Sequence, residues 1–338
     1  MSSSTITIET SSRLHFGLMP GPTEPSGGED DLPVRAFGGA GLMIREPGST
    51  IAVHHVESRR GGANHVECPH SASVRQRLER LLDELCGPGG RLDLKGIRVE
   101  VRSAAPEHAG LGTGTQLCIA LASALKRLAG KSLNPHHCAG WTERGRRSAI
   151  GVYGFFQGGF LVDGGKSPHF SLAPLLSRHP FPEDWPIVLL RPELPAGLHG
   201  TPEESFFRES LPIAQEHADR LCRLLLLGVM PAVVDKDFNG FAQSLSLYNG
   251  IVGDRFAAAQ GGRFAHPRLE ALVALLRHWD VTAVGQSSWG PTLFAVLPDR
   301  DRAEWLRERL LSEDALSPDE VLITEADNTG AHITETSV

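Results

Sequence analysis

The hydrophobic residues of the chain recur with two different periods, and the period predicts where strands and helices lie. Apolar and charged positions alternate over residues 97–102, and residues 5–19 begin with a similar alternation, which is the pattern of half-buried strands. Leucine, valine and other apolar residues recur every three to four positions over residues 71–86, 117–128 and 267–278, which predicts amphipathic helices. Strands concentrate early and helices late, so the predicted fold class is α+β.

Weaker patterns extend this picture along the chain. Residues 20–33 are rich in Pro, Gly and acidic residues, which predicts a loop. Extended structure resumes at residues 35–44, and residues 49–56 are predicted to be its hairpin partner. A length of 338 residues favours two domains, with the short apolar strand at residues 185–190 as the crossing between them. Further helices are predicted at residues 202–210, 212–228, 232–247 and 300–311, and further strands within residues 283–297 and 320–325.

Charge and cysteine content narrow the classes of function. The net charge is −7 and no long run of Lys or Arg occurs, so neither nucleic acid nor an anionic membrane is an expected partner. The N-terminus lacks a basic segment followed by an apolar one, and the apolar stretch at residues 221–229 is too short to span a bilayer. The five cysteines form no C-x-x-C pair, which favours reduced thiols and a cytoplasmic protein.

The most informative stretch is the segment at residues 107–116, which leads from a predicted strand into a predicted helix. Glycines and threonines interleave there as Gly110, Gly112, Thr113, Gly114 and Thr115. Glycine lets backbone N–H groups turn toward a ligand, and a helix start adds partial positive charge, so the segment predicts a phosphate or diphosphate site. The two hydroxyls are candidate ligands for the phosphate or its Mg²⁺. The alternative is that Thr113 and Gln116 form a capping box that merely opens the helix.

Five motifs spread over the chain carry a resemblance to a known family. They are Ser-Arg-Leu-His-Phe-Gly at residues 12–17, Phe-Gly-Gly-Ala-Gly-Leu at 37–42, the segment at 107–116, Gly-Gly-Phe-Leu-Val-Asp-Gly-Gly at 158–165 and Gly-Gln-Ser-Ser-Trp-Gly-Pro-Thr at 285–292. The ordered set resembles the β-ribofuranosylaminobenzene 5′-phosphate synthase family, a non-kinase branch of the GHMP kinase superfamily. The resemblance implies a two-domain GHMP-kinase-like fold and is compatible with a homodimer. The N-terminal domain, which carries the phosphate loop, is expected over residues 1–180, and the C-terminal domain over residues 181–338.

The resemblance also implies a reaction. Phosphoribosyl diphosphate condenses with 4-aminobenzoate or 4-hydroxybenzoate, CO₂ and diphosphate leave, and the product enters tetrahydromethanopterin-type cofactor biosynthesis. Mg²⁺ is the expected cofactor, and no ATP requirement is expected. Two alternatives stay open: an ATP-dependent small-molecule kinase of the same superfamily, and a non-catalytic protein that binds phosphate ligands. Gly-Thr-Gly-Thr-Gln at residues 112–116, where the kinases usually carry a serine run, favours the synthase.

Each of these motifs supplies candidate site residues. The diphosphate is assigned to the loop residues Gly110, Leu111, Gly112, Thr113, Gly114 and Thr115. Catalytic candidates are Arg13, His15, His108 and Asp163, with Asp163 and Thr115 also candidate Mg²⁺ ligands. Candidate anion clamps are Arg35 and Arg146, and candidate walls for the benzoate are Gln286, Ser287, Ser288 and Trp289. Ordinary roles stay open as well: a surface pair for Arg13 and His15, a turn for Asp163, a solvated helix end for Arg146 and core packing for Trp289.

Overall fold

Two β-sheets and a set of helices make up the computed structural model, which describes residues 3–19, 35, 38–56, 62–167, 169–194 and 215–337. The first sheet contains β1 (Ser3–Met19), β2 (Gly38–Val56), β3 (His65–Glu67), β4 (Ile97–Ser103), β5 (Phe160–Asp163), β6 (Leu175–His179) and β11 (His332–Ser337). The second sheet contains β7 (Ile187–Leu190), β8 (Val284–Gln286), β9 (Leu293–Val296) and β10 (Val321–Thr324).

The helices lie mostly outside the strand-rich first hundred residues. Those of the N-terminal half are α1 (Ala72–Cys86), α2 (Thr113–Leu128), α3 (Pro135–Thr142) and α4 (Ile150–Gln157). Those of the C-terminal half are α5 (Gln215–Leu224), α6 (Met230–Asp235), α7 (Phe238–Gln260), α8 (Pro267–His278) and α9 (Arg300–Ser312), with a π-helical turn at Leu225–Val229 between α5 and α6. None of the helices that the structure describes combines the length and the hydropathy that crossing a bilayer requires.

The first sheet is built around one long antiparallel hairpin, which β1 and β2 form. The two strands pair antiparallel from Ser3↔Val56 to Met19↔Gly38, with two bulges on the way. The predicted hairpin between residues 35–44 and 49–56 is therefore wrong, because the described parts of both segments lie on β2. The two halves of β2 have different second neighbours, since β4 pairs with its C-terminal half and β5 with its N-terminal half. The sequence pattern of β2 changes where its neighbour changes, and for that reason one strand was predicted as two.

The last strand of the chain returns to the first sheet. β11 pairs antiparallel with β1, on the side opposite β2, from Ser4↔Ser337 to Glu9↔His332. The sequence pattern predicted no strand at residues 332–337. The predicted division of the chain at residue 180 stays a prediction, and β11 shows that the C-terminal residues contribute to the sheet that carries β1.

Helix α2 is the centre of the larger hydrophobic core. Twelve of its 16 residues are buried, because it is packed against the first sheet and against α1, α3 and α4. α1 covers it with a leucine-rich stripe, and its N-cap residue Ser71 accepts a hydrogen bond from Val74 N at 3.2 Å. The predicted helices at residues 71–86 and 117–128 are confirmed. This packing holds the start of α2, and the segment before it, against β1, where Arg13 N donates a 2.8 Å hydrogen bond to the carbonyl oxygen of Leu111.

The second sheet packs against α8 and α9, with helices α5 to α7 between the two halves. The predicted helices at residues 267–278 and 300–311 are confirmed. The helix predicted at 232–247 is instead divided, because Lys236 after α6 is left-handed and Asp237 is the N-cap residue of α7. The predictions at residues 20–33 and 202–210 lie outside the described residues. Sheets and helices together confirm the α+β class.

Candidate active site

The segment at residues 107–116, here called the phosphate loop, joins β4 to α2 and leaves the start of α2 without a side-chain cap. Gly112 is the N-cap residue, with a φ of 77° that favours glycine, and no side chain accepts a hydrogen bond from the first turn. Thr113 Oγ1 instead donates a 2.8 Å hydrogen bond to the carbonyl oxygen of Pro106. The amide of Gln116 donates to a carbonyl oxygen of α4 at 2.8 Å. The capping-box alternative is therefore wrong, and the helix start can receive an anion.

Glu107 fixes the beginning of the phosphate loop to helix α1. Its carboxylate accepts hydrogen bonds from Arg77 at 2.8 Å, from Ser71 at 2.7 Å and from Ser73. Partial burial acts to raise the pKa of Glu107, but the hydroxyls of Ser73 and Ser71 and the charge of Arg77 outweigh it, so the pKa is lowered. A Cβ atom on Gly114 would lie 2.5 Å from Arg77 Nη1, so a larger residue there would have to displace the end of the Arg77 side chain. Glu107 is thus an ionised brace for the loop.

A cavity of about 810 Å³ opens beside the phosphate loop and is strongly cationic. Gly112 and Thr115 form part of its wall. Five arginines line it, contributed by β1, α1 and the segment before α4: Arg13, Arg80, Arg144, Arg146 and Arg147. Glu143 is the acidic residue among the lining side chains, and it pairs with Arg146 at 2.8 Å. An excess of guanidinium groups beside an uncapped helix start suits a ligand that carries several phosphate charges.

A second cavity, of about 30 Å³, lies behind one wall of the cationic cavity. The two cavities share the residues His15, Leu18, Ser288 and Trp289. The ring centroid of Trp289 lies 4.6 Å from that of Phe256, which makes this shared wall aromatic. The small cavity holds only about one or two water molecules, so a ring-sized ligand has its space on the side of the cationic cavity.

His15 on β1 is connected to Asp163 on β5 through Ser148. His15 Nδ1 accepts a hydrogen bond from the backbone N–H of Gly17 at 3.2 Å, so the neutral ring carries its proton on Nε2. His15 Nε2 lies 2.9 Å from Ser148 Oγ, and Ser148 donates to Asp163 Oδ2 at 3.1 Å. Burial, and then the charge of Arg13, lowers the pKa of His15 well below its usual value. His15 is therefore a neutral donor at physiological pH.

Asp163 itself is completely buried and lines neither of these two cavities. The backbone N–H groups of Ala149 and Gly165 donate to its two oxygens at 2.9 Å and 3.2 Å. Burial raises the pKa of Asp163 to about 6, although the hydrogen bonds from Ala149, Gly165 and Ser148 act in the opposite direction. The result is a carboxylate that is ionised at neutral pH and held just behind the cavity wall.

The late glycine-rich loop, residues 285–292, is bonded to both β1 and the phosphate loop. Ser287 Oγ accepts a hydrogen bond from His15 N at 3.0 Å and donates one to the carbonyl oxygen of Gly110 at 2.7 Å. The side-chain amide of Gln286 is engaged as well, because it accepts from Ala265 N at 2.8 Å and donates to a backbone carbonyl of the loop at 3.1 Å. Three motifs far apart in sequence thus form one rigid wall.

The structure brings part of the predicted set together at the cationic cavity. The predicted residues on its wall are Arg13, His15, Gly112, Thr115, Arg146, Ser288 and Trp289. Within the loops behind that wall lie Gly110, Leu111, Thr113, Gly114 and Ser287, and Gln286 borders the small cavity. His108 is exposed and adopts a φ of 55°, and the exposed Arg35 donates to the carbonyl oxygen of Gly165 at 3.2 Å. Their roles in binding and catalysis stay predictions.

Arg80 and Ser148 are among the wall residues that the sequence did not single out. Arg80 lies on the exposed side of α1, where its spacing is that of any solvated helix residue. Ser148 follows the arginine cluster at residues 144–147, and that adjacency was the one available signal. Arg80 and Ser148 line the same cavity because α1 and the segment before α4 face each other across it. No local sequence pattern predicts that arrangement.

The fold and the anion site together define a member of the GHMP kinase superfamily. Residues 73–159 match the family described as GHMP kinases N terminal domain, and residues 229–314 match GHMP kinases C terminal. A mevalonate pyrophosphate decarboxylase from Streptococcus pyogenes has the same fold, with a TM-score of 0.68 at 12% identity over 97% of this chain and 98% of that one. A homoserine kinase from Cytophaga hutchinsonii gives a TM-score of 0.61 at 16% identity over 98% and 97% of the two chains.

Sequence relatives specify the branch of the superfamily. β-Ribofuranosylphenol 5′-phosphate synthase from Archaeoglobus fulgidus is 30% identical over 86% of this chain and 87% of its own. The protein of the same name from Methanocaldococcus jannaschii is 29% identical over 96% and 99% of the two chains. This chain belongs to the β-ribofuranosylphenol 5′-phosphate synthase family, a family of transferases with small-molecule substrates. The GHMP-like fold and the family resemblance read from the sequence motifs are confirmed.

Proposed function

We propose that this protein transfers the 5-phosphoribosyl group of phosphoribosyl diphosphate to 4-hydroxybenzoate or 4-aminobenzoate, with loss of CO₂ and diphosphate. The product is expected to enter tetrahydromethanopterin-type cofactor biosynthesis. The observation that carries the proposal is the cationic cavity, in which the uncapped start of α2 meets five arginines. Family membership supplies the reaction class, and the cavity supplies a site for a donor with anionic groups at both ends.

The donor carries a diphosphate at one end of the ribose and a phosphate at the other. The phosphate loop is the proposed diphosphate site, because backbone amides and the helix dipole neutralise a leaving group as its charge increases. Arg13 lies directly over this site, since a Cβ atom on Gly112 would be 3.4 Å from Arg13 Cβ. The arginines of α1 and of residues 144–147 are the proposed partners of the remaining phosphate oxygens.

The acceptor ring is proposed to lie against the shared wall, where Trp289 is supported by Phe256. Between the two benzoates we favour 4-hydroxybenzoate. The relatives at 29% and 30% identity are named for a ribofuranosylphenol, which is the product class that a hydroxybenzoate would give. Ser288 is the hydroxyl on this wall that can contact the acceptor.

The bond changes balance without an added redox partner. The C1–O bond of the sugar breaks and its electron pair leaves with diphosphate. The ring carbon that bears the carboxylate forms a bond to C1, and the C–CO₂ bond then breaks so that its electron pair restores the aromatic ring. The para hydroxyl or amino group feeds electrons to the attacking carbon. The donor is an α-diphosphate and the named product is a β-riboside, so a single displacement with inversion is expected.

We propose that Mg²⁺ accompanies the diphosphate and neutralises the leaving group when bound. Among the residues that the structure describes, no group of three or more His, Cys, Asp or Glu side chains is arranged to hold a metal ion. Asp163 is buried behind the cavity wall, so Thr115 is the one of the two predicted Mg²⁺ ligands that lines the cavity. This donor set fits an ion that is bound mainly through substrate phosphates and water, as Mg²⁺ often is.

We propose a cytoplasmic homodimer that requires no ATP. All five cysteines are free thiols, and four of them are buried, which suits a reducing compartment. The homodimer rests on superfamily resemblance, and sedimentation equilibrium of the full chain tests it directly. A monomer at micromolar concentration would contradict that part of the proposal.

The experiment that tests the function compares two donors. Purified protein with Mg²⁺ is given phosphoribosyl diphosphate and either benzoate, or ATP with mevalonate or homoserine, and all products are followed by chromatography. We expect a riboside phosphate only from phosphoribosyl diphosphate with a benzoate. Phosphorylation of an alcohol by ATP would establish the kinase alternative, and tight diphosphate binding without turnover of any pair would establish the non-catalytic one.

A further inference from the structure

Arg144 lines the cationic cavity and forms no ion pair with any carboxylate that the structure describes. Its Nη2 donates a hydrogen bond of 3.4 Å to the sulfur of Cys118 on α2, and within the described part of the chain its buried Nε–H has no acceptor. Thiol sulfur is a weak acceptor, and burying the donors of a cation without good partners costs free energy. The neighbouring Arg146 differs, because it is exposed and paired with Glu143 at 2.8 Å. An anion in the cavity would therefore stabilise Arg144 more than Arg146.

The backbone on both sides of Arg144 is sharply bent. Glu143 ends α3 with a φ of 54°, and Gly145 has a φ of 81°, so both flanking residues are left-handed. A Cβ atom on Gly145 would lie 2.5 Å from Leu172 Cδ1, which shows that the bend is packed closely against the residues behind it. This bend lets Arg144 reach back to Cys118. Arg144 is thus held in the cavity wall from two sides, by its backbone and by its contact with α2.

The contact with Cys118 places Arg144 about one helical turn away from the proposed diphosphate site. Thr115 lines the cavity in the first turn of α2, and Cys118 follows it by three residues on the same face of the helix. Three residues span about 4.5 Å along a helix axis. The phosphate loop therefore supplies backbone amides at one position, and Arg144 supplies a positive charge further along α2. The proposed donor has the matching form, since its ribose separates a diphosphate from a 5′-phosphate.

We propose that Arg144 binds the 5′-phosphate of the sugar donor. The proposal rests on the proposed function for the identity of the donor, and it assigns one arginine of the cavity to one end of that molecule. A planar guanidinium can donate two parallel hydrogen bonds to a phosphate monoester. The sulfur of Cys118 holds the guanidinium in place without neutralising it, whereas a carboxylate at the same position would compete with the phosphate.

Arg91 is a matched control near the same segment. Its Nη1 donates to the carbonyl oxygen of Gly140 on α3 at 3.1 Å, and its guanidinium lies 5.7 Å from the ring centroid of Trp141. Arg91 is exposed and does not line the cationic cavity. Arg144→Gln and Arg91→Gln therefore each remove one positive charge close to α3, and only the first removes it from the cavity wall.

Calorimetry of the full chain tests the proposal with two separate ligands, ribose 5-phosphate and diphosphate with Mg²⁺. For Arg144→Gln we expect the affinity for ribose 5-phosphate to fall by about tenfold or more, and the affinity for diphosphate to stay within about twofold of wild type. Arg91→Gln should bind both ligands as wild type does. If Arg144→Gln does not fold, Arg144→Lys makes the same comparison. It keeps the charge without the fork, so a loss of about threefold, confined to ribose 5-phosphate, is expected.

The outcomes separate the two proposals. An unchanged affinity for ribose 5-phosphate in Arg144→Gln, an equal or greater loss of diphosphate affinity, or an equal loss in Arg91→Gln would overturn the role of Arg144. A wild type that binds diphosphate but not ribose 5-phosphate would overturn it as well. None of these measurements requires turnover. The proposed function fails instead if the folded wild type forms no riboside phosphate from phosphoribosyl diphosphate and either benzoate, whatever Arg144 binds.

Discussion

Ser287 Oγ donates a 2.7 Å hydrogen bond to the carbonyl oxygen of Gly110, so the late loop and the phosphate loop are joined directly although 177 residues separate them. The same hydroxyl accepts from the backbone N–H of His15 at 3.0 Å. The contact is close enough that a Cβ atom on Gly110 would lie 2.2 Å from the carbonyl oxygen of Ser287. One buried serine thus connects the phosphate loop, β1 and the late glycine-rich loop.

Removal of the Ser287 hydroxyl should destabilise the contact between the late loop, β1 and the phosphate loop. We expect Ser287→Ala to lower the free energy of unfolding by about 1–3 kcal/mol, because the buried N–H of His15 and the carbonyl of Gly110 both lose their partner. Donor and acceptor KM values should rise together. Chemical denaturation and steady-state kinetics measure the two effects, and a variant with wild-type stability would contradict the assigned contacts.

The start of α2 can be tested with a pair of matched glycines. Gly112 and Gly130 both adopt a left-handed φ, of 77° and 68°, so alanine costs about 1 kcal/mol at either position. Gly112→Ala adds a methyl group 3.4 Å from Arg13 at the cavity wall, whereas a Cβ atom on Gly130 meets nothing within 4 Å. We expect similar losses of stability from both, and a large loss of diphosphate affinity by calorimetry only from Gly112→Ala. Equal affinities would place the diphosphate elsewhere.

Arg80 is predicted to contribute to donor binding although it is exposed on α1. Arg80→Gln should raise the KM for phosphoribosyl diphosphate by about tenfold, with little change in kcat, because a charge-assisted hydrogen bond in a wet site is lost. Arg75 is the control on the same helix, since it forms a surface ion pair with Glu79 and does not line the cavity. Arg75→Gln should match wild type. An unchanged donor KM in Arg80→Gln would show that α1 does not contribute to donor binding.

Because of Asp163, activity and stability should change in opposite directions as the pH falls. Its pKa is raised by burial from 3.8 to about 6, so kcat at saturation should fall as the pH drops below about 6 and the negative charge is lost. His15 does not cause this fall of kcat, because burial holds the pKa of His15 well below its usual value. The fall of kcat below about pH 6 should be absent from Asp163→Asn, which retains only low activity.

For stability the sign is reversed. The pKa of Asp163 is higher in the folded than in the unfolded chain, so the folded state binds the proton more tightly. The destabilising contribution of Asp163 is therefore full above about pH 6 and disappears as the pH falls toward about 4, a change of up to about 3 kcal/mol. Denaturation of wild type and Asp163→Asn at several pH values measures it. A constant difference between the two proteins would contradict the burial argument.

Local periodicity was sufficient for the elements whose partners are close in sequence. The stripe of α1 and a glycine-rich segment that leads into a helix are local features, and both were predicted, although α2 begins at Thr113 and not at residue 117. The continuity of β2 was not, because its two halves pair with β4 and β5, which lie far along the chain. The place of β11 beside β1 depends in the same way on a pairing between the two ends of the chain.

The candidate site was predictable as a set of motifs but not as a geometry. The sequence identified Asp163 by its place between an apolar strand and two glycines, yet complete burial and the bond through Ser148 depend on the packing of α4 against β5. Arg80 has the pattern of a solvated helix residue, and only the approach of α1 to the cavity distinguishes it from Arg75. Long-range packing decides which charged residue faces a ligand.

The central claim is that C–C bond formation, loss of CO₂ and loss of diphosphate belong to one reaction at this cavity. The most direct test is to incubate the wild-type protein with phosphoribosyl diphosphate, Mg²⁺ and carboxyl-labelled 4-hydroxybenzoate, and to count labelled CO₂ and diphosphate in the same sample. The account predicts equal amounts of the two products, each dependent on both substrates, and neither from Gly112→Ala. Diphosphate without CO₂, or no release of either by the folded protein, would contradict it.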